Sequence, residues 1–226
     1  MKNIYQNIYS SQKNLGNLSE SPRIKIMLEM ADSFNLKNKN ILDIGCYDGT
    51  FLASLENKND LFGIEASEFG VKECEKKGID ARQYFFNDRD PLPFSADFFD
   101  LVVAGEIVEH IFDTDFFMKE IRRVLEPGGK LILSTPNVAS FGRRLMLLFG
   151  LNPIMETSPN EKDSSGHIRY FTFKTLGKLL AKHGFRIIIE RSDVVNFSSS
   201  GKLRSKILAS VFPKLGQSII VVAKKA

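Results

Sequence analysis

This sequence predicts a doubly wound α/β fold, in which a mainly parallel seven-stranded sheet, its last strand antiparallel, carries helices on both faces. Three observations lead there. Short apolar runs alternate with segments of helical period along most of the 226 residues, and such alternation builds a parallel sheet. The first run, Ile41, Leu42 and Ile44, enters Gly45-Cys46-Tyr47-Asp48-Gly49, where two glycines bracket a tight loop before a helix. The second run ends in Glu65, about twenty residues after that loop opens.

Residues 1–37 read as an N-terminal arm and helix that form a lid, and residues 38–226 as one domain with a lid insertion at about 137–168. Ser21-Pro22 supplies an N-cap and a first-turn proline, and Ile24, Met27, Leu28 and Ala31 keep helical spacing. The central strand at 41–44 is followed by a helix at 50–57, a strand at 61–65 and a helix at 67–77 that Gly78 stops. A third strand at 79–85 and a fourth at 99–104 flank a polar turn around Pro91-Leu92-Pro93-Phe94. Asp113 to Leu125 is a helix that turns Phe116, Phe117, Ile121 and Val124 inward and is closed by Pro127-Gly128-Gly129. The fifth strand is expected at 130–134. About thirty residues then interrupt the alternation, with an amphipathic piece at 141–149 and a Ser-, Pro- and Asn-rich stretch at 156–166, as binding loops do. A helix at 172–183, a strand at 185–190, a helix near 202–211 and a last strand at 218–223 complete the chain.

Composition narrows the function classes. The formal charge of +4 is too small and too scattered for a dedicated nucleic-acid binder, which argues against nucleic acid as a partner. Arg143-Arg144 and Lys202, Arg204 and Lys206 stand beside apolar residues, a pattern of a solvated helix face that also leaves peripheral membrane contact open. No apolar run reaches the length of a membrane span, and the N-terminus lacks the apolar core of a signal peptide. The two cysteines supply no disulfide framework, so a cytoplasmic protein is expected.

In open α/β sheets the ligand sits at the carboxyl ends of the strands, where strand order reverses. Asp43 with the loop at 45–49, Glu65 and the turn at 87–88 fall at such ends. The loop lacks the middle glycine of a G-x-G-x-x-G fingerprint, and Asp43 would repel a pyrophosphate. A nucleoside carrying a cationic centre and an amino acid moiety suits it better. Glu65 is placed to accept hydrogen bonds from both ribose hydroxyls.

Together, Ile41-Leu42-Asp43-Ile44-Gly45-Cys46, Gly63-Ile64-Glu65, Pro91-Leu92-Pro93-Phe94, Phe99-Asp100-Leu101-Val102, Glu109-His110 and Arg123-Val124-Leu125-Glu126-Pro127-Gly128-Gly129 resemble the class I S-adenosylmethionine (SAM)-dependent methyltransferases of the type 11/12 kind, with their Rossmann-like fold. The resemblance implies that Asp43, Gly45 and Gly49 surround the methionine part of SAM, with Cys46 in the same loop. It implies that Glu65, with Ala66 beside it, holds the ribose, that Asn87 or Asp88 meets the adenine, and that Gly105-Glu106 lies beside the transferable methyl. Tyr47 departs from the family's usual glycine; its ring is expected to close over the methionine end or to meet the N-terminal arm.

Glu106-Ile107-Val108-Glu109-His110 forms an E-x-x-E-H string. On a helix its spacings bring two carboxylates and an imidazole to one face, a ligand set for Mg²⁺ or Mn²⁺. The string resembles the metal motif of small-RNA 2′-O-methyltransferases and of O-methyltransferases of ubiquinone biosynthesis, and His167 stands where the former carry a further ligand. The candidate metal ligands are therefore Glu106, Glu109, His110 and His167. His110, Glu106 and His167 are the candidate catalytic groups, and His110 without metal would orient the loop or act as a general base. Cys46, Cys74 and His183 read as structural.

Tyr5, Tyr9, Phe141 and Tyr170 are expected to wall the acceptor pocket, and Arg143, Arg144 and Arg169 to meet an anionic group. Ser134-Thr135-Pro136-Asn137 and Gly166-His167-Ile168-Arg169-Tyr170-Phe171-Thr172 resemble enzymes of surface-polysaccharide and secondary-metabolite pathways. That resemblance implies O-methylation of a sugar, nucleotide-sugar or other small hydroxylated metabolite. The alternatives are a metal-assisted O-methyltransferase of a quinone precursor or RNA 3′ end, and a non-catalytic SAM-binding module.

Overall fold

The computed structural model describes residues 21–55, 58–86, 90–153, 166–197 and 203–226. The arm at 1–20 with Tyr5 and Tyr9, the adenine candidates Asn87 and Asp88, and residues 154–165 of the insertion lie outside the described residues. Among those described, seven strands form one sheet: β1 (Asn40–Ile44), β2 (Asp60–Glu65), β3 (Asp80–Gln83), β4 (Phe99–Gly105), β5 (Leu125–Pro136), β6 (Phe185–Arg191) and β9 (Ser218–Lys225), in the order β3-β2-β1-β4-β5-β9-β6. The first five pair in parallel, and β9 runs antiparallel between β5 and β6. The chain builds outward from β1 through β2 to β3, then returns to lay β4 on its other side. This reversal is the switch point at which such sheets open a crevice.

Side-chain alternation divides the core into two layers. Leu42, Ile44, Val102, Ala104, Leu131 and Leu133 face one layer, and Ile41, Leu101, Val103 and Ile132 face the other, as the two-residue period of a strand requires. The first layer is covered by α4 (Thr114–Val124) and α6 (Phe173–Lys182), which contribute Phe117, Ile121, Val124, Leu176 and Leu180. Phe117 has no solvent exposure and meets the Phe86 ring edge-on at 4.8 Å. Phe117→Ala is expected to lower stability by roughly 3–5 kcal/mol, measured by urea unfolding.

The second layer is covered by α1 (Pro22–Asp32), α2 (Thr50–Ala53) and α3 (Glu68–Lys76). Met27, Met30 and Ala31 of α1 are buried there. α5 (Phe141–Leu148) rises from the insertion, and α7 (Lys206–Val211) follows a small hairpin of β7 (Val195–Asn196) and β8 (Arg204–Ser205).

Several bounds differ from expectation. The helix expected at 50–57 ends at Ala53. β5 begins at Leu125 rather than residue 130, because Leu125 pairs with Phe99 before an irregularity in the ladder. Pro127-Gly128-Gly129 lies within this strand instead of closing the helix; an ideal Cβ on Gly129 would stand 3.0 Å from the Glu126 carbonyl oxygen, so a side chain there would push its neighbours aside.

Candidate cofactor and metal site

The loop after β1 is closed by backbone hydrogen bonds and tied down further by the Glu65 and Lys77 side chains. Gly45 N–H donates to the Ile64 carbonyl at 2.8 Å, and Gly49 N–H closes the turn on the Cys46 carbonyl at 2.8 Å. Gly45, Tyr47 and Gly49 all take left-handed backbone angles, with φ of 78°, 49° and 74°. Glycine does so freely, whereas tyrosine there carries a steric cost. The Tyr47 hydroxyl oxygen is buried, so its ring does not point into bulk solvent. The Cys46 thiol turns inward, 3.5 Å from Cys74 Sγ. That hydrogen bond and burial raise its pKa, so it stays protonated. Cys46 thus offers the crevice its backbone and no nucleophile.

Glu65, at the end of β2, is tied to this loop. One carboxylate oxygen accepts from Tyr47 N–H at 3.1 Å and the other from Ser67 N–H at 2.8 Å. Burial raises its pKa, while these N–H donors pull the other way. The neighbouring Ala66 carbonyl accepts from the Gln83 amide at 2.9 Å, which fixes the chain just past the acid. Asp43 shares the α1 side of the sheet with Ile41. Burial first, then the nearby Glu65 charge, push its pKa up to about 7, against the pull of Arg23. Two buried acids at the switch point leave a site short of positive charge. A sulfonium-bearing, hydroxyl-rich ligand supplies it, and a pyrophosphate would make the deficit worse.

Gly70 carries no signal in the sequence beyond being a glycine inside a helix. An ideal Cβ there would stand 2.6 Å from the Tyr47 carbonyl oxygen and 2.7 Å from Glu65 Cγ. Both must move if Gly70 becomes alanine, although alanine is the better helix former. Gly70→Ala is expected to weaken SAM binding about tenfold with the fold retained, as isothermal calorimetry and circular dichroism would report.

The far side of the crevice is set by the end of β4. Glu106 follows Gly105 with φ of 55°, a left-handed turn that breaks any helix across 106–110. The short 3₁₀ turn spans only Val108–His110. The single helical face expected for Glu106, Glu109 and His110 is therefore corrected. Glu109, His110 and His167 have ligand atoms within 4.8 Å of one another, and Glu106 is not part of that group. Glu106 instead accepts from Ser134 Oγ at 3.3 Å and lies 3.7 Å from the Arg23 guanidinium. Burial raises its pKa, with Arg23 the first opposing influence.

The three-residue group is tightly built. Glu109 Oε2 accepts from Thr135 Oγ1 at 2.9 Å. Glu109 Oε1 is buried and has no hydrogen-bond partner among the described residues; it lies 3.8 Å from His167 Nε2. Burial, then repulsion from Glu106, raise the Glu109 pKa to about 8. The Glu109 carbonyl accepts from Ile168 and Arg169 N–H at 3.0 and 3.1 Å, which brings His167 to the site. His110 Nδ1 lies 3.2 Å from the Gly166 carbonyl, and donating there leaves Nε2 as a lone-pair donor, the second-sphere arrangement of metal-binding histidines. An orphaned buried carboxylate oxygen beside two imidazoles fits a divalent cation, and the nitrogen donors favour Mn²⁺ or Zn²⁺ over Mg²⁺.

The other expected contacts separate. Arg144 donates to the Ala139 and Lys214 carbonyls, and Arg169 to those of Ile111 and Phe112, so both are structural ties. Arg143 donates to the Asn137 carbonyl at 3.0 Å; burial lowers its pKa, with Tyr170 and then Glu106 opposing. Arg23, Ser134 and Thr135 were not legible as site residues, because only the packing of α1 and β5 brings them to the crevice.

A doubly wound sheet with an acid-and-glycine crevice at its switch point defines a nucleoside-cofactor-binding α/β domain. The comparisons with known proteins specify it further. The family model described as a methyltransferase domain matches residues 20–190. The chain is 32% identical over 106 residues to a ubiquinone biosynthesis O-methyltransferase of Sinorhizobium medicae, covering 45% of this chain and 43% of that protein. It is 26% identical over 174 residues to the Coxiella burnetii protein of the same name, covering 75% of this chain and 65% of that one. The chain thus spans roughly half to two thirds of the length of these relatives. A Thermotoga maritima SAM-dependent methyltransferase, described as a possible histamine N-methyltransferase, shares the fold with a TM-score of 0.69 at 20% identity over the full length of both chains. The chain belongs to the methyltransferase-domain family, of the SAM-dependent class, with SAM as its cofactor.

Proposed function

We propose that the protein transfers the methyl group of SAM to one hydroxyl of a small acceptor bearing two adjacent hydroxyls, of the catechol type found in quinone precursors. One observation carries the reading: the buried Glu109 Oε1, without a hydrogen-bond partner among the described residues, set 3.8 Å from His167 Nε2, with His110 beside it. A divalent cation held by Glu109, His110 and His167 would fix the paired hydroxyls and lower the pKa of the attacking one. The remaining work falls to the chain. Asp43 and Glu65 orient SAM by its cationic and ribose parts. Glu106, its pKa raised by burial and its carboxylate held by Ser134, sits beside the reacting centres and takes the proton. Arg143 fits an anionic substituent on the acceptor.

The names of the relatives favour a hydroxylated aromatic acceptor over the sugar or nucleotide-sugar expected from sequence. A screen that follows S-adenosylhomocysteine release over catechols, sugars and short RNAs, with and without Mn²⁺, Zn²⁺ or Mg²⁺, tests it. Metal-dependent turnover confined to catechols is the expected result. Turnover on monohydroxylated acceptors that a chelator leaves unchanged would transfer the role to His110 as a metal-free general base. SAM binding without turnover on any acceptor would support a binding module.

A further inference from the structure

The first part of the insertion after β5 and the segment before β9 share an unusual composition. Residues 141–153 and 203–217 contain five arginines and lysines and no aspartate or glutamate. Set against a whole-chain charge of only +4, these two short stretches carry the basic excess of the protein. The same stretches expose large apolar side chains. Leu148 and Phe149 are each 75% exposed, Leu147 60%, Ile207 77%, Leu203 64% and Val211 61%.

Ordinary surface helices turn their apolar stripe inward. These do not: α5 has no buried residue, and α7 buries only Ala209. The two are also joined. Phe141 at the start of α5 meets the Phe197 ring beyond β7 at 5.2 Å, and Arg144 Nη2 donates to the Lys214 carbonyl at 3.4 Å. The Asn137 amide donates to the Lys214 and Gly216 carbonyls at 3.1 and 2.9 Å. α5 and the connection from α7 to β9 are therefore held on one side of the domain.

We propose that this surface docks on a lipid bilayer containing anionic phospholipid, with Leu147, Leu148, Phe149, Leu203, Ile207 and Val211 entering the headgroup boundary and Arg144, Arg204, Lys206 and Lys214 meeting lipid phosphates. Charge decides between occupants. A second copy of this chain would bring four like charges against four, whereas an anionic interface neutralises them while burying the apolar face. No described helix is long and apolar enough to cross a membrane, so the contact is peripheral. It sits beside Asn137 and Arg143.

The test is co-sedimentation of the full chain with vesicles of phosphatidylcholine alone or mixed with phosphatidylglycerol, without acceptor or metal, so its outcome is independent of the acceptor assignment. Retention should be about tenfold stronger on the anionic vesicles, and the difference should vanish near 0.5 M salt. Leu148→Glu with Phe149→Glu, and separately Ile207→Glu with Val211→Glu, should each lower retention about tenfold or more while circular dichroism and SAM affinity stay unchanged. Because the chain has no tryptophan, Phe149→Trp provides a single reporter that preserves the apolar surface. Its emission should shift to the blue on anionic vesicles and be quenched by brominated lipid. Equal retention on both vesicle types, emission that vesicles leave unchanged, or a dimer in sedimentation velocity that the glutamate variants dissociate would overturn the proposal.

Discussion

Removing divalent metal with a strong chelator should lower methyl transfer to a catechol by about a hundredfold or more. Glu109→Gln should reproduce the loss in the presence of metal. Glutamine keeps the side-chain shape and an acceptor for Thr135, but its neutral amide is a poor ligand beside two imidazoles. Added Mn²⁺ or Zn²⁺ should restore the chelated wild type and leave Glu109→Gln and His167→Ala inactive. SAM affinity measured by calorimetry should stay within about twofold for all of them, since Glu109 and His167 pair with Thr135 and each other and not with Asp43 or Glu65. Loss of SAM binding together with activity would mark the group as structural, and full activity in chelator would remove the metal from the mechanism.

The second large effect is on pH. Asp43 has its pKa pushed up from 3.8 to about 7 by burial and by Glu65, and a cationic cofactor binds best when it is ionised. SAM affinity should therefore fall as pH drops below about 7, approaching tenfold per unit while Asp43 remains the controlling group. The cofactor-free protein should show the opposite slope. Its folded form keeps a proton that the unfolded chain has already released, so stability is highest at the acidic side of the window and declines as pH rises from about 4 to 7. Asp43→Asn should flatten both slopes and weaken SAM binding at pH 8. Calorimetric Kd values and thermal unfolding between pH 5 and 8 would check this. An affinity profile that Asp43→Asn leaves unaltered would assign the titration to another group.

The fold and half of the candidate site could be read locally. Ile41 to Ile44 had to be a buried strand, and a glycine on either side of Cys46-Tyr47-Asp48 had to be a turn, because both follow from side-chain pattern and backbone freedom within a few residues. Strand alternation then implied a parallel sheet, and a parallel sheet implies a crevice at the carboxyl ends of β1 and β2, where Asp43 and Glu65 lie. The hairpin of β7 and β8 had no such signature. Two paired residues on each side bury too little to leave a periodic trace, and the early start of β5 at Leu125 depends on Phe99, a partner remote in sequence.

The E-x-x-E-H string shows the same limit from the other side. Its spacing describes one face only if the backbone is helical, and the left-handed φ at Glu106 is set by how β4 ends against Ser134 rather than by the string itself. Thus the sequence alone determined the sheet, the loop after β1 and the acids at its strand ends. The tertiary structure decided which acid belongs with the histidines: the Glu109 carbonyl anchors residues 168 and 169, and that pairing delivers His167. Glu106 was turned away to face Arg23 from a helix more than eighty residues earlier. Local pattern encodes backbone conformation, but the meeting of charged groups across the crevice depends on long-range packing that no short window of sequence contains.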